Sequence, residues 1–448
     1  MFRKIHINNV FGLQVFQVLR FVAFTIISIV FTKSTLSLKD IGDYELFLFI
    51  ASAVSYFWVT GIIQSLLPLF NNNRSYPYRK QNLTEKSPEI FNAFILLFFF
   101  SCLICLILFF LKDTLHVYKN GENLPYLYLL LLYILISNPV SMVEYIYLLY
   151  NKSTQILYYG FIVFTLQVLF VFYPVKLGYG LEMAIWGLLF VTAIRTIWLI
   201  VLLKKYSIQK LSFPYVREHF NLALPLIIST LLSGSAQYVD GIIVSAKFNP
   251  AKFAMFRFGA KEMPLVVMLA SGLNNAMLTL FNSREKIKFA LLTIKKKSAR
   301  LMHILFPVSI LLLFFSNKIF PALFTERFNR SSDIFMIYLL LVTSRLLFPQ
   351  TILIGLKQTK TVMLVSILEI VLNVALSLLF IPIYGITGVA VATVIMFLVE
   401  KIVLIGFNYY KFNIKPIEYI PLVTWFIYSF VIIAIFVLID HRIIMVRP

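Results

Sequence analysis

Charged side chains set among long apolar runs are the residues of this chain best placed to do chemistry. Arg20, Arg195, Arg257, Lys261 and Arg345 are basic, and Glu144, Asp240, Glu262, Glu369 and Glu400 are acidic. A charge at the centre of a bilayer costs about 2.5–3.5 kcal/mol on insertion scales. Such groups persist where they face a wet hollow, pair with one another or reach an interface. Arg257 and Lys261 stand four apart, the spacing that puts two side chains on one helix face. Glu262 is beside them, about 100° round the helix. Gln14, Gln17 and Arg20 make one side of the first run polar, and a string of small polar residues from Ser229 to Gln237 leads to Asp240.

Cations gathered in a low dielectric suit a substrate of fixed negative charge, such as a diphosphate, because guanidinium offers two parallel donors to phosphate oxygens. Arg20, Arg257, Lys261 and Arg345 are the candidates for that contact. Gln64, Tyr238, Asn274 and Asn275 could hold sugar hydroxyls. Asp240 and Glu262 are expected to balance the cations. Glu144, after Asn138 and Pro139, and Glu369, one turn before Asn373, are candidates for coupling to H+ or Na+. Arg345 is alternatively expected to pair with a carboxylate on a neighbouring helix. Arg195 and Lys401, nearer the ends of their runs, are expected to snorkel.

The elements that must position these groups are membrane spans. The 448 residues are 60% hydrophobic, 16% aromatic and only 13% charged, with a net charge of +21. Soluble domains carry about 25% charged residues, so a bilayer is the environment this composition fits. Apolar windows near Val10–Phe31, Tyr44–Phe70, Ile90–Leu111, Pro125–Tyr150, Gln155–Tyr173 and Leu181–Leu203 come first. After a polar joint follow His219–Ala246, Phe253–Phe281, Leu301–Phe315, Ile334–Leu356, Thr361–Ile381 and Ile386–Tyr410, then Tyr419–Ile439. The expected fold is an all-α polytopic membrane protein of about 12–13 spans. Its domains are expected over 1–210, 211–412 and 413–448, the last being one extra helix.

With the N-terminus inside, the inside segments hold about 22 Lys and Arg against about 12 outside. Two joints dominate, one around Lys204, Lys205, Lys210 and Arg217, the other from Arg284 to Arg300. Topology and contact with lipid phosphates account for both. The basic residues lie between spans and form no single stripe, so no nucleic-acid partner is expected. No cleavable signal follows Arg3 and Lys4, so the first span is expected to stay. Cys102 and Cys105 form a C-x-x-C inside an apolar run and read as structural thiols. No phosphate-cradling loop, dinucleotide motif, HExxH or Cys/His cluster appears, and no cofactor, ATPase domain or enzyme activity is expected. Asp40 and Asp43, in what reads as a short outside loop, leave a polytopic sugar polymerase or ligase as a minor alternative.

The chain also resembles itself. Lys152, Pro174, Gly180 and Ala184 recur at the same spacing as Lys360, Pro382, Gly388 and Ala392. Six spans per copy would keep both copies in one orientation, giving two pseudo-symmetric bundles around a central cavity.

The run ALPLIISTLLSGSAQYVDGIIVSAKFNPAKFAMFRFGAKEMPLV from Ala223 resembles the seventh and eighth helices of polysaccharide-exporter flippases. The run from Leu368 is similar to their eleventh and twelfth, with Asn373, Ile381, Pro382, Gly385, Gly388, Ala390, Ala392 and Thr393 standing where that family has N…IP-x-x-G-x-x-G-x-A-x-A-T. Read physically, Pro382 and Gly385 make a tight turn and the small residues let helices approach; Asn373 and Thr393 read as packing too. The resemblance covers residues 8–410 and extends to the wider fold of multidrug extruders and peptidoglycan lipid flippases. It implies that the first, second, seventh and eighth spans line the cavity, which is where Arg20, Asp240, Arg257 and Lys261 fall. It implies a flippase that carries a polyprenyl-diphosphate-linked oligosaccharide, an O-antigen or capsule repeat, across the inner membrane. The rival expectation is an ion-coupled drug or cation antiporter of the same fold, whose cavity should be acidic and aromatic.

Overall fold

A computed structural model describes residues 9–72, 86–114, 116–118, 121–278, 287–356 and 358–440. Helices make up nearly all of it. The first are α1 (Asn9–Thr32), α2 (Leu38–Ala53), α3 (Tyr56–Asn72) and α4 (Pro88–Phe110). A short antiparallel pair, β1 (His116–Val117) and β2 (Glu122–Asn123), leads to α5 (Leu127–Val140) and α6 (Val143–Leu149). Then come α7 (Ser153–Lys176), α8 (Gly180–Tyr206), α9 (Phe213–Gly234) and α10 (Ala236–Lys247). They are followed by α11 (Pro250–Gly259), α12 (Pro264–Leu278), α13 (Ile287–Phe324) and α14 (Asn329–Leu339). The last are α15 (Val342–Arg345), α16 (Pro349–Gly355), α17 (Thr359–Tyr384), α18 (Ile386–Phe412), α19 (Pro416–Tyr419) and α20 (Leu422–Asp440).

Among the described residues nine helices are long and apolar enough to cross a membrane, or up to eleven if each strongly bent pair is one span. The chain is an all-α, multi-pass membrane protein. The two further expected spans, from His219 and from Phe253, fall on α9–α10 and α11–α12, each broken near its middle. Pro264 explains the second break: it lacks an N–H and disfavours helical backbone in the residue before it.

Two compact units result. Within the described residues, unit 1 runs to Gly234 and includes Asn249–Ala251; unit 2 comprises Ser235–Phe248 and everything from Lys252. Packing thus carries α9 into unit 1, where Ala223 and Ile227 share a core with Trp58, Ile62 and Leu66. The polar joint before α9 is strapped to the start of α4. Ser87 N donates to Tyr206 O at 2.9 Å, Asn92 Nδ2 to Lys210 O at 3.3 Å, and Ser212 N to Asn92 Oδ1 at 2.9 Å. In unit 2, α20 packs against α13. Ile432 joins the core of Met302, Leu305 and Phe306, and Trp425 Nε1 donates to Thr343 O at 2.8 Å.

The matched hairpins α7–α8 and α17–α18 show how far the internal repeat reaches. Each pair packs so closely that a side chain at one position is impossible. A Cβ on Gly187 would lie 2.0 Å from Phe170 O, and one on Gly388 2.6 Å from Phe380 O. The turn in unit 2 corrects the sequence reading, because α17 continues through Pro382 to Tyr384 and only Gly385, at φ +64°, makes the turn.

The loop expected around Asp40 and Asp43 is helix. Asp40 forms a capping box with Ser37 at the start of α2, and Asp43 is buried, accepting from Tyr118 Oη at 3.0 Å. Both carboxylates are committed to structure, because an uncapped helix start leaves backbone donors without partners. Cys102 and Cys105 are free thiols, half-buried on α4, and Cys105 Sγ donates to Leu131 O at 3.2 Å.

Candidate functional site

Unit 2 gathers several ionisable residues within electrostatic reach of one another. Arg345, at the end of α15, is bound by Glu262 from the break between α11 and α12. Its Nε donates to Oε2 at 2.9 Å, and Nη2 donates to Oε1. This two-point geometry is the strong form of the pair. It meets the alternative expectation for Arg345, and it occupies a guanidinium that was also a diphosphate candidate. Phe397 lies over the same group, 4.2 Å from its centre.

Lys401 does not snorkel. It is 3% exposed, with Nζ 2.7 Å from Glu400 Oε2 and 2.6 Å from Gln350 Oε1. A carboxylate and an amide at that range hold the ammonium inside more firmly than a route to the interface would reward.

Asp240 sits on α10 and is almost fully buried. Its partners are neutral. Tyr338 Oη donates to Oδ2 at 2.5 Å, Thr393 Oγ1 lies 2.6 Å from Oδ2, and Asn373 Nδ2 donates to Oδ1 at 3.3 Å. Ser377 Oγ donates in turn to Asn373 Oδ1 at 3.0 Å. Among the described residues no cation lies within ion-pair distance of Asp240, so it does not balance one directly. Asn373 and Thr393, which read as packing in the sequence, are ligands of this carboxylate. Gly388 lets α18 lie close to α17, against Phe380, and so helps to bring Asn373 and Thr393 together at Asp240.

The remaining candidates of unit 2 are spread more widely. Arg257 and Lys261 are half-buried, but α11 ends at Gly259, so Lys261 lies in the non-helical break and does not share a helix face with Arg257. Lys261 Nζ stands 5.1 Å from the centre of the Phe258 ring. Asn274 Oδ1 accepts from Thr351 Oγ1. Tyr238 is half-buried. The side chain of Asn275 lies outside the described residues, as do Arg284 and Lys286. Glu369 is buried, and Glu400, Lys401, Arg345 and Asp240 are the charges that act on it.

Unit 1 places Arg20 and Gln64 at exposed positions of α1 and α3. Gln14 is also exposed and Gln17 half-buried, so the polar side of α1 is present. Among the described residues no carboxylate lies within ion-pair distance of Arg20, although its charge acts on Glu144. Glu144, on α6, is 4% exposed, and its Oε2 has no hydrogen-bond partner. Arg195 turns inward instead of snorkelling. Its Nε donates to Tyr159 Oη at 3.0 Å, and its charge also acts on Glu144. Beside it Trp198 Nε1 donates to Tyr147 Oη at 2.8 Å. A tyrosine thus holds Arg195 inside, where the sequence pointed to an outward reach. The signal that could have found it is the recurrence of Tyr among otherwise aliphatic residues of α6 and α7.

Comparison with known proteins agrees with this architecture. Among solved structures, the chain is similar to the lipid II flippase MurJ in an inward closed conformation. The TM-score is 0.66 at 15% identity, covering 96% of this chain and 99% of that one. It is similar to an inward-facing multidrug resistance MATE family transporter of the MOP superfamily, with TM-score 0.61, 13% identity and coverage of 87% and 93%. A MOP superfamily transporter from Pyrococcus furiosus, described as having a binding pocket of reversed polarity, matches with TM-score 0.58, 13% identity and coverage of 90% and 94%. At these identities the likeness is one of fold. No curated protein matches the chain. A family model described as polysaccharide biosynthesis protein matches residues 36–333, and with two thirds of its length under that match the chain belongs to this family of polysaccharide biosynthesis proteins.

Proposed function

We propose that the protein is a flippase that carries a polyprenyl-diphosphate-linked oligosaccharide, such as an O-antigen or capsule repeat unit, across the inner membrane by alternating access. The N-terminus lies inside, as the excess of Lys and Arg in the inside joints favours. The observation that carries the reading is Arg20, a cation at the depth of a span, exposed and with no ion pair among the described residues. An accessible guanidinium at that depth is suited to an anionic headgroup. Membership of a polysaccharide biosynthesis family and a fold like that of a lipid II flippase support the same cargo class.

In this reading Arg20 is the diphosphate contact offered by unit 1 and Arg257 and Lys261 are those offered by unit 2, while Gln64 and Tyr238 are contacts for sugar hydroxyls. Arg345 holds the α15 end through Glu262 and leaves phosphate binding to the other three. Asp240, with its hydroxyl and amide partners, is the site for a coupling H+ or Na+, because several oxygens surround one buried carboxylate.

The test is Arg20→Glu and Arg257→Glu in cells that depend on the protein for surface polysaccharide. Both should abolish export and leave lipid-linked sugar facing inside. Normal surface polysaccharide in both variants would remove the diphosphate role. The second reading, an ion-coupled antiporter for cationic drugs, is favoured by one observation: among the described residues, Asp240 and Glu369 of unit 2 are buried with no cation within ion-pair distance. Drug resistance conferred on cells lacking efflux pumps, with no effect on polysaccharide, would replace the first reading by the second.

A further inference from the structure

A count of charge inside unit 2 leaves one carboxyl unexplained. Four acids and two bases act on one another there: Asp240, Glu262, Glu369 and Glu400, with Arg345 and Lys401. Arg345 is bound at two points by Glu262. Lys401 is bound by Glu400 and Gln350. Each cation is therefore already matched by a carboxylate. Asp240 is left without a cation, but three neutral donors reach its two oxygens. Glu369 is left without either. It is 5% exposed, and its Oε1 is buried with no hydrogen-bond partner.

The elements packed around Glu369 offer no relief. From α18 come Glu400 and Lys401, from α15 Arg345, and from α10 Asp240. Both cations are already held, and the two acids repel a negative charge. If Glu369 were ionised, its buried Oε1 would carry negative charge with neither water nor a hydrogen-bond donor beside it, an unfavourable way to bury a charge. A neutral carboxylic acid has a much smaller penalty.

We propose that Glu369 is a proton-carrying site of unit 2, distinct from Asp240, and that it holds its proton in the conformation seen here. A metal cation fits it poorly. A hard cation takes several oxygen ligands, and the oxygens that could form such a set belong to the Asp240 cluster or to the ion pairs. The proton leaves when the neighbours rearrange. Release of Lys401 from Glu400, or of Arg345 from Glu262, would put a free cation next to Glu369 and favour the carboxylate. Protonation of Glu369 is thereby linked to whether those two pairs are closed. The inference rests on charge and packing inside one unit and does not depend on the nature of the cargo.

The experiment uses the full chain, purified into lipid nanodiscs without substrate. Infrared difference spectroscopy across a pH titration reads the carbonyl stretch of protonated carboxylic acids. The wild type should show such a band at neutral pH. Glu369→Gln should remove part of it, and Glu262→Gln, which frees Arg345 beside Glu369, should weaken it at the same pH. The melting midpoint of Glu369→Gln should equal that of the wild type, because the amide has the shape and charge of the neutral acid. An unchanged band in Glu369→Gln overturns the proposal. So does a Gln variant that is clearly destabilised or fails to fold, since that outcome means the native group is ionised. Neither readout involves sugar-lipid transport, so failure of the flippase reading would leave this result standing and the reverse also holds.

Discussion

Two buried ionic clusters, one in each unit, follow different rules. Among α6, α7 and α8 of unit 1 an acid and a base stay apart: Arg195 donates to Tyr159, and Glu144 feels Arg195 and Arg20 only through the field. In unit 2 the bases are clasped directly, Arg345 by Glu262 and Lys401 by Glu400, and two acids remain over. A phenol is a neutral partner whose own charge state does not change near neutral pH. Carboxylates can trade protons and partners. The contrast is between a fixed, cationic group around Arg195 and an exchangeable, acidic one around Asp240 and Glu369.

The sharpest way to break this contrast is to remove a clasp. Glu262→Ala should destabilise the protein by about 3 kcal/mol, the low end for a broken buried pair because both side chains are partly exposed. Replacing both partners, Arg345→Met with Glu262→Leu, should restore most of the loss. Thermal unfolding of the variants in micelles measures both, and a single-variant loss as small as the double's would refute the clasp. Next in size is overpacking of the matched hairpins. Gly187→Ala and Gly388→Ala should each cost about 1–3 kcal/mol, with Gly187 the worse because its carbonyl contact is closer. The reverse order would mean that the α7–α8 hairpin can give way and the α17–α18 hairpin cannot.

Smaller effects test the neutral partners. Tyr159→Phe takes a hydrogen bond from Arg195 and should cost about 1.5 kcal/mol. Thr393→Val takes one of three donors from Asp240 and should cost about 1 kcal/mol. The two variants should differ in a second respect. Only Thr393→Val should alter the dependence of melting on Na+ or pH, since Asp240 is assigned to ion coupling and Arg195 is not. Equal responses would merge the two units into one kind of site.

Spans were legible in the sequence because apolar length is a local property. Val10–Phe31 became Asn9–Thr32, and Tyr419–Ile439 became Leu422–Asp440. Breaks within spans were less so, although Pro264 gave fair notice that Lys261 would leave the helix. The partners of buried charges were hidden, because they are set by contacts between distant segments. Asp240 meets Tyr338, Asn373 and Thr393 across separations of 98, 133 and 153 residues. Spacing within one helix carries no information about such meetings. Lys401 and Arg195 misled for the same reason: position near the end of a run favours an outward reach only where nothing polar waits inside.

One element remains, the 38-residue α13. At 1.5 Å per residue it is about 57 Å long, nearly twice the hydrocarbon thickness of a bilayer. Its opening stretch carries Lys288, Lys296, Lys297 and Arg300 at exposed positions. If unit 2 rocks during transport as proposed, a helix of that length would move these cations like the blade of an oar. Turnover should therefore feel the drag and thickness of the surrounding lipid, and a spin label on Lys296 would register the stroke.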